Sequence, residues 1–107
     1  MEGPKENILL KISVYSNQTI KGITLFEQIV LKAKELGLAG VTVIKGAMGF
    51  IGDGKIHKPK LCSISESLPV TIEVVDTEEN INKLLPFLDE SIKDGLVVLM
   101  PVSGLKK

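Results

Sequence analysis

Apolar positions recur along this chain in two rhythms, and the changes between them lay out its elements. In residues 7–16 the run NILLKISVYS sets Leu10, Ile12 and Val14 on one face and Leu9, Lys11, Ser13 and Tyr15 on the other. A period of two predicts a strand with one face more deeply buried. Over residues 23–37 the spacing becomes helical, with Leu25, Phe26, Ile29, Val30, Ala33 and Leu36 on one stripe. Thr24 with Glu27 fits a capping box, and Gly37 suits the left-handed position after the last turn. The β-branched run GVTVIKG at 40–46 predicts a second strand, and LPVTIEVVD at 68–76 a third. Asp76 with Glu79 predicts the cap of a second helix, whose stripe is Ile81, Leu84, Leu85, Leu88 and Ile92 and whose end is Gly95. Pro86 falls inside it and predicts a kink or a break. The run LVVLMPV at 96–102 reads as a fourth strand, with Pro101 pointing to a sheet edge. Residues 1–6 read as a loose lead-in.

The order βαβ, long loop, βαβ folds most simply as an α+β ferredoxin-like βαββαβ sandwich: a four-stranded antiparallel sheet with two helices on one face. One domain over residues 1–107 is expected, with a long flexible loop at about 47–67. Because the helices cover only one sheet face while the strands carry apolar residues on both, the second face is expected to pack against other subunits.

Composition narrows the function. The 107 residues are 44% hydrophobic with mean hydropathy +0.27, which argues against disorder, and the net charge is zero. All 13 cations are lysine, so readings that need a bidentate guanidinium clamp fall away. One cysteine cannot form an internal disulfide, and no basic stretch precedes a long apolar run. A soluble cytoplasmic protein is the expectation. The neutral total conceals a local asymmetry. Lys45, Lys55, Lys58 and Lys60 face Asp53 alone, giving the loop a net +3, whereas residues 66–94 carry eight carboxylates against Lys83 and Lys93.

Glycines beside lysines let backbone amides approach an anion closely, so Gly49, Gly52, Gly54 and Lys55 form a candidate anion site. His57 could add a pH-sensitive donor there. The plainer alternative is a solvated loop, and an acidic patch on a partner protein would suit the same lysines. His57 and Cys62 are too few for zinc, and the nearby Ser63, Ser65 and Ser67 lack the orienting acid of a triad. Neither a metal site nor a catalytic residue is expected, and the chain does not read as an enzyme. Nucleic acid is not an expected partner either, since Tyr15 is the one strand aromatic available for base stacking.

The stretch GLAGVTVIKGAMGF at 37–50, with KGITLFEQIVLKAKELG upstream and LPVTIEVVDTEENI downstream, resembles the PII-like family known as domain of unknown function 190. The resemblance spans roughly residues 8–100 and implies a homotrimer of ferredoxin-like subunits, distantly related to PII signal-transduction proteins. It implies adenine nucleotides in the clefts between subunits, and a mobile effector loop that docks on transporters or enzymes. Members are often encoded near a fluoride exporter, which makes a membrane transporter an implied partner. Thr42 stands where a similar threonine of PII proteins faces adenine, and Gly49, Phe50 and Gly52 resemble the start of their effector loop. The GDGKI at 52–56 matches a PII phosphate loop in letters but precedes the third strand instead of following it. In the equivalent place stands DTEEN at 76–80, acidic and without glycine. Carboxylates there would repel a triphosphate, so AMP, a cyclic nucleotide or a different anion fits better than ATP.

Overall fold

The computed structural model describes residues 3–52, 54–59 and 67–104. Among these residues, six strands and two helices follow in the order β1 (Lys5–Tyr15), β2 (Thr19–Ile20), β3 (Ile23–Thr24), α1 (Leu25–Glu35), β4 (Val41–Lys45), β5 (Pro69–Asp76), α2 (Glu78–Ser91) and β6 (Leu96–Gly104). The main sheet runs β4-β5-β1-β6 with every neighbouring pair antiparallel. This is the expected ferredoxin-like sandwich, with β1 and β5 at the centre because each helix carries the chain across to an edge.

Both helices bury their stripes against one face of the sheet. Leu10, Ile12 and Val14 of β1 and Val70, Ile72 and Val74 of β5 meet Leu25, Ile29 and Ala33 of α1 and Ile81, Leu84 and Leu88 of α2, all 2% exposed or less. Losing this contiguous apolar surface to water would be the main cost of unfolding. The edge strand β6 is treated differently: Leu96 to Met100 stay between 36% and 56% exposed. Its register sets Val97 and Leu99 beside Ile12 and Leu10 on the helix side, and Leu96, Val98 and Met100 beside Ser13, Lys11 and Leu9 on the open side. Neither layer covers it fully. As Pro101 suggested, β6 is an edge.

Several local expectations change. The short hairpin β2–β3 precedes α1, where the sequence showed only helical spacing. Thr24 is the N-cap residue of α1, but its side chain makes no capping bond. The Leu25 amide instead donates to the Gln18 carbonyl at 2.7 Å, because the hairpin returns that carbonyl to the helix end. Thr77, not Asp76, caps α2, its hydroxyl accepting from the Asn80 amide at 3.2 Å. Asp76 ends β5 nearly buried, and its carboxylate accepts from the Ala39 amide (2.8 Å), the Thr77 amide (2.7 Å) and Asn80 Nδ2 (3.0 Å). It ties the α1–β4 turn to the start of α2. Pro86 does not break α2, which continues from Glu78 to Ser91. Pro86 and Asn82 are both exposed, so water can satisfy the carbonyl that proline leaves without a donor. Gly95 lies beyond the helix end rather than capping it. A Cβ there would fall 2.8 Å from the Ser13 carbonyl oxygen and from Ile92 Cγ2, so the turn into β6 needs glycine for closeness.

Candidate functional site

The segment between β4 and β5 is organised at its neck. Gly49 and His57 form an isolated antiparallel bridge, each amide donating to the other's carbonyl at 2.9 and 2.8 Å. The bridge closes the chain between them into a ring. That ring is fastened to the end of β1. The Tyr15 hydroxyl donates to the Ile51 carbonyl at 3.0 Å and accepts from the Ile51 amide at 2.7 Å. The His57 ring lies 4.1 Å from the Tyr15 ring, centroid to centroid and tilted by 33°. His57 Nδ1 is 3.0 Å from the Ser67 carbonyl, which can only accept, so that nitrogen is the donor.

The return into β5 is equally tied. The Ser16 amide donates to the Leu68 carbonyl at 2.8 Å, the Leu68 amide to Ser16 Oγ at 3.0 Å, and Ser67 Oγ to Asn17 Oδ1 at 3.0 Å. On the β4 side the Gly46 amide donates to the Pro69 carbonyl at 2.7 Å. A Cβ on Gly46 would stand 2.8 Å from that oxygen, so this approach requires glycine. The alternation of β1 places Tyr15 on the open sheet face, yet it is only 7% exposed, because the neck covers it. The ring therefore borders the open face.

Beyond the neck, side chains turn outward. Met48, Phe50 and Ile56 are 59%, 62% and 65% exposed, an unusual concentration of apolar surface on a loop. Lys45, Lys55 and Lys58 are exposed around them, and Gly52 and Gly54 hold left-handed backbone at φ 66° and 72°. The fold thus gathers Gly49, Phe50, Gly52, Gly54, Lys55 and His57 into one ring. It does not bring Thr42 to them. Thr42 is exposed on β4 opposite Glu73, and three strand residues stand between it and Gly46, a run of about 13 Å. Asp53, Lys60, Cys62, Ser63 and Ser65 lie outside the described residues. Among the described residues, no group of three or more His, Cys, Asp or Glu comes together as a cation site. None of their helices is long and apolar enough to cross a membrane.

Tyr15, Ser16, Asn17 and Ser67 fasten the neck, a role that sequence reasoning gave to none of them. Tyr15 stands 36 residues from Ile51, and nothing in local spacing marks so distant a pairing. A hydroxyl-bearing aromatic closing an otherwise apolar strand was the available signal.

Comparison with known proteins places this geometry in context. Residues 7–104 match the DUF190 family model, described as "Uncharacterized ACR". A UPF0166 protein of Methanocaldococcus jannaschii is 38% identical over 92 residues, covering 85% of this chain and 84% of its own. A UPF0166 protein of Aquifex aeolicus is 35% identical over 97 residues, covering 88% and 89%. Among solved structures, one described as a PII-like signalling protein of Thermus thermophilus superposes with TM-score 0.68 at 18% identity, covering 97% of this chain and 94% of its own. CPII of Thiomonas intermedia, a nitrogen regulatory PII-like protein solved with ADP, AMP and bicarbonate, gives TM-score 0.67 at 17% identity, covering 94% and 90%.

Proposed function

This chain belongs to the DUF190 family and has the PII-like fold, and on that premise we propose that it is a regulatory subunit sensing an adenine nucleotide such as AMP. The ligand sits in clefts between the copies of a homotrimer, and the segment at 47–67 carries the signal. The observation that carries this reading is the ring at the loop neck, which holds the exposed Phe50, the exposed Lys55 and two left-handed glycines between Gly49 and His57. An aromatic face suits a purine, and ammonium and backbone amide donors suit a phosphate. The ring borders the open sheet face, where a neighbouring copy would complete the cleft and Thr42 of β4 would be reached. The nucleotides bound by CPII support the ligand class. A ligand that binds only the ordered loop shifts its population by that differential affinity, and so changes what the loop can dock on.

Titration calorimetry with AMP, ADP, ATP and cyclic AMP at two ionic strengths tests this. Saturable binding near one site per subunit is expected, tightest for AMP, with Lys55→Ala weakening it about tenfold and little change in Tm. Equal affinity in that variant removes Lys55 from the site. A second reading rests on the exposed Met48, Phe50 and Ile56: a ligand-free trimeric module whose loop docks on a transporter or another protein. Absence of heat with every nucleotide would leave that module ahead.

A further inference from the structure

The bridge at the loop neck also sorts the side chains around it. Gly49 and His57 are antiparallel partners, so one residue further on either side the same register sets Phe50 across from Ile56 and Met48 across from Lys58. Side chains alternate along each arm, which puts these four on the face opposite His57. His57 turns inward onto the Tyr15 ring, and Ile51, bonded to the Tyr15 hydroxyl, is half-buried. The four turn outward: Met48, Phe50 and Ile56 keep 59%, 62% and 65% of their surface in water, and Lys58 is exposed with them. Lys45 and Lys55 are exposed on the same segment.

Three large apolar side chains gathered on one loop face, with lysines among them, fit a partner that is apolar inside and negative at its surface. A protein groove that took the apolar side chains would also need carboxylates placed to meet each lysine. An anionic lipid surface supplies both without such placement. The boundary between headgroups and acyl chains accepts the apolar side chains, while flexible lysine stems reach back to the charged headgroups. The rest of the chain agrees in sign. Residues 66–94 carry eight carboxylates against two lysines, and α2, which holds Glu78, Glu79, Asp89 and Glu90, packs on the covered face of the sheet, away from the open face that the ring borders. An anionic surface therefore attracts the ring and repels the helix layer, which orients the molecule. We propose that the outer face of the ring, Met48, Phe50, Ile56 and Lys58 with Lys45 and Lys55, docks reversibly on an anionic lipid surface. The proposal goes beyond the nucleotide reading and does not depend on it.

The test is co-sedimentation of the full chain, without nucleotide, with vesicles of phosphatidylcholine alone and of equal parts phosphatidylcholine and phosphatidylserine. Binding to the mixed vesicles is expected, at least about tenfold tighter than to the neutral ones and falling as salt is raised. Lys58→Glu should weaken it at least about fivefold, roughly what one lysine contributes at such a surface. The double variant Phe50→Ser with Ile56→Ser should weaken it at least about tenfold. Far-UV circular dichroism should stay unchanged in both, because these side chains are exposed. Lys83→Glu makes the same change in net charge at an exposed position of α2 and should bind like wild type. The chain has no tryptophan, so Phe50→Trp reports alone, and its emission should shift to the blue on mixed vesicles. Wild type that sediments with neither vesicle would overturn the proposal and leave the apolar face to a protein partner. Equal losses in Lys58→Glu and Lys83→Glu would overturn it in favour of attraction by net charge. Sedimentation without the blue shift would overturn it too, since another surface would then make the contact.

Discussion

The Tyr15 phenol donates to one backbone atom of Ile51 and accepts from another, so a single oxygen holds both the position and the direction of the ring. Its partners are local only in space, and each bond contributes about 1 kcal/mol. Tyr15→Phe keeps the stacked ring beside His57 and deletes both bonds. The Ile51 amide should then exchange with solvent roughly tenfold faster, while core amides such as that of Ile72 hold their protection. Hydrogen exchange followed by mass spectrometry checks this, and unchanged exchange at the ring would mean that the Gly49–His57 bridge suffices without the hydroxyl. Gly46 and Gly95 belong to the same scale. Both are required by an approach to a carbonyl at 2.8 Å, from Pro69 and Ser13 respectively, and neither has positive φ.

Among the elements, the helices were the most legible, because their stripes had no competing period. Leu25, Ile29 and Ala33 in α1, and Ile81, Leu84 and Leu88 in α2, are buried where the 3.6-residue spacing put them. Their caps were not legible. Thr24 lost its capping bond to a carbonyl delivered by a hairpin, and Asp76 was recruited by the α1–β4 turn. Both outcomes depend on partners brought in by the tertiary fold. Pro86 remains inside α2 because its side of the helix faces water. Restoring an amide donor with Pro86→Ala should stabilise the protein by about 1–2 kcal/mol, since the interior proline penalty of about 3 kcal/mol is partly offset by the extra freedom alanine gives the unfolded chain. Urea denaturation reads this as a higher midpoint, and a lower midpoint would show that the helix favours proline's fixed φ at this position.

At the scale of the molecule, a four-stranded sheet with one covered face and an edge strand exposed on both sides leaves much apolar area in water. An assembly that buries it links stability to concentration, since association draws on the folded chain alone. Tm measured at the same pH and salt should therefore rise by several degrees over about a hundredfold increase in protein concentration. A constant Tm would mean that the chain melts as a monomer.

By itself, the sequence determined the order of elements, the two-layer arrangement and the identity of the core, because periodicity depends only on which side of an element meets water. It also determined the family, through three ordered segments that together span most of the chain, and it drew the eye to glycines and lysines of the 47–67 segment. Tertiary structure alone decided that Gly49, Phe50, Gly52, Gly54, Lys55 and His57 form a ring fastened to Tyr15, that Thr42 stands apart from it on β4, and that Lys11 faces Glu73. These relations join residues tens of positions apart through strand register and long-range hydrogen bonds. Local preference carries no record of them, for the same residues would read identically in a chain that paired its strands differently.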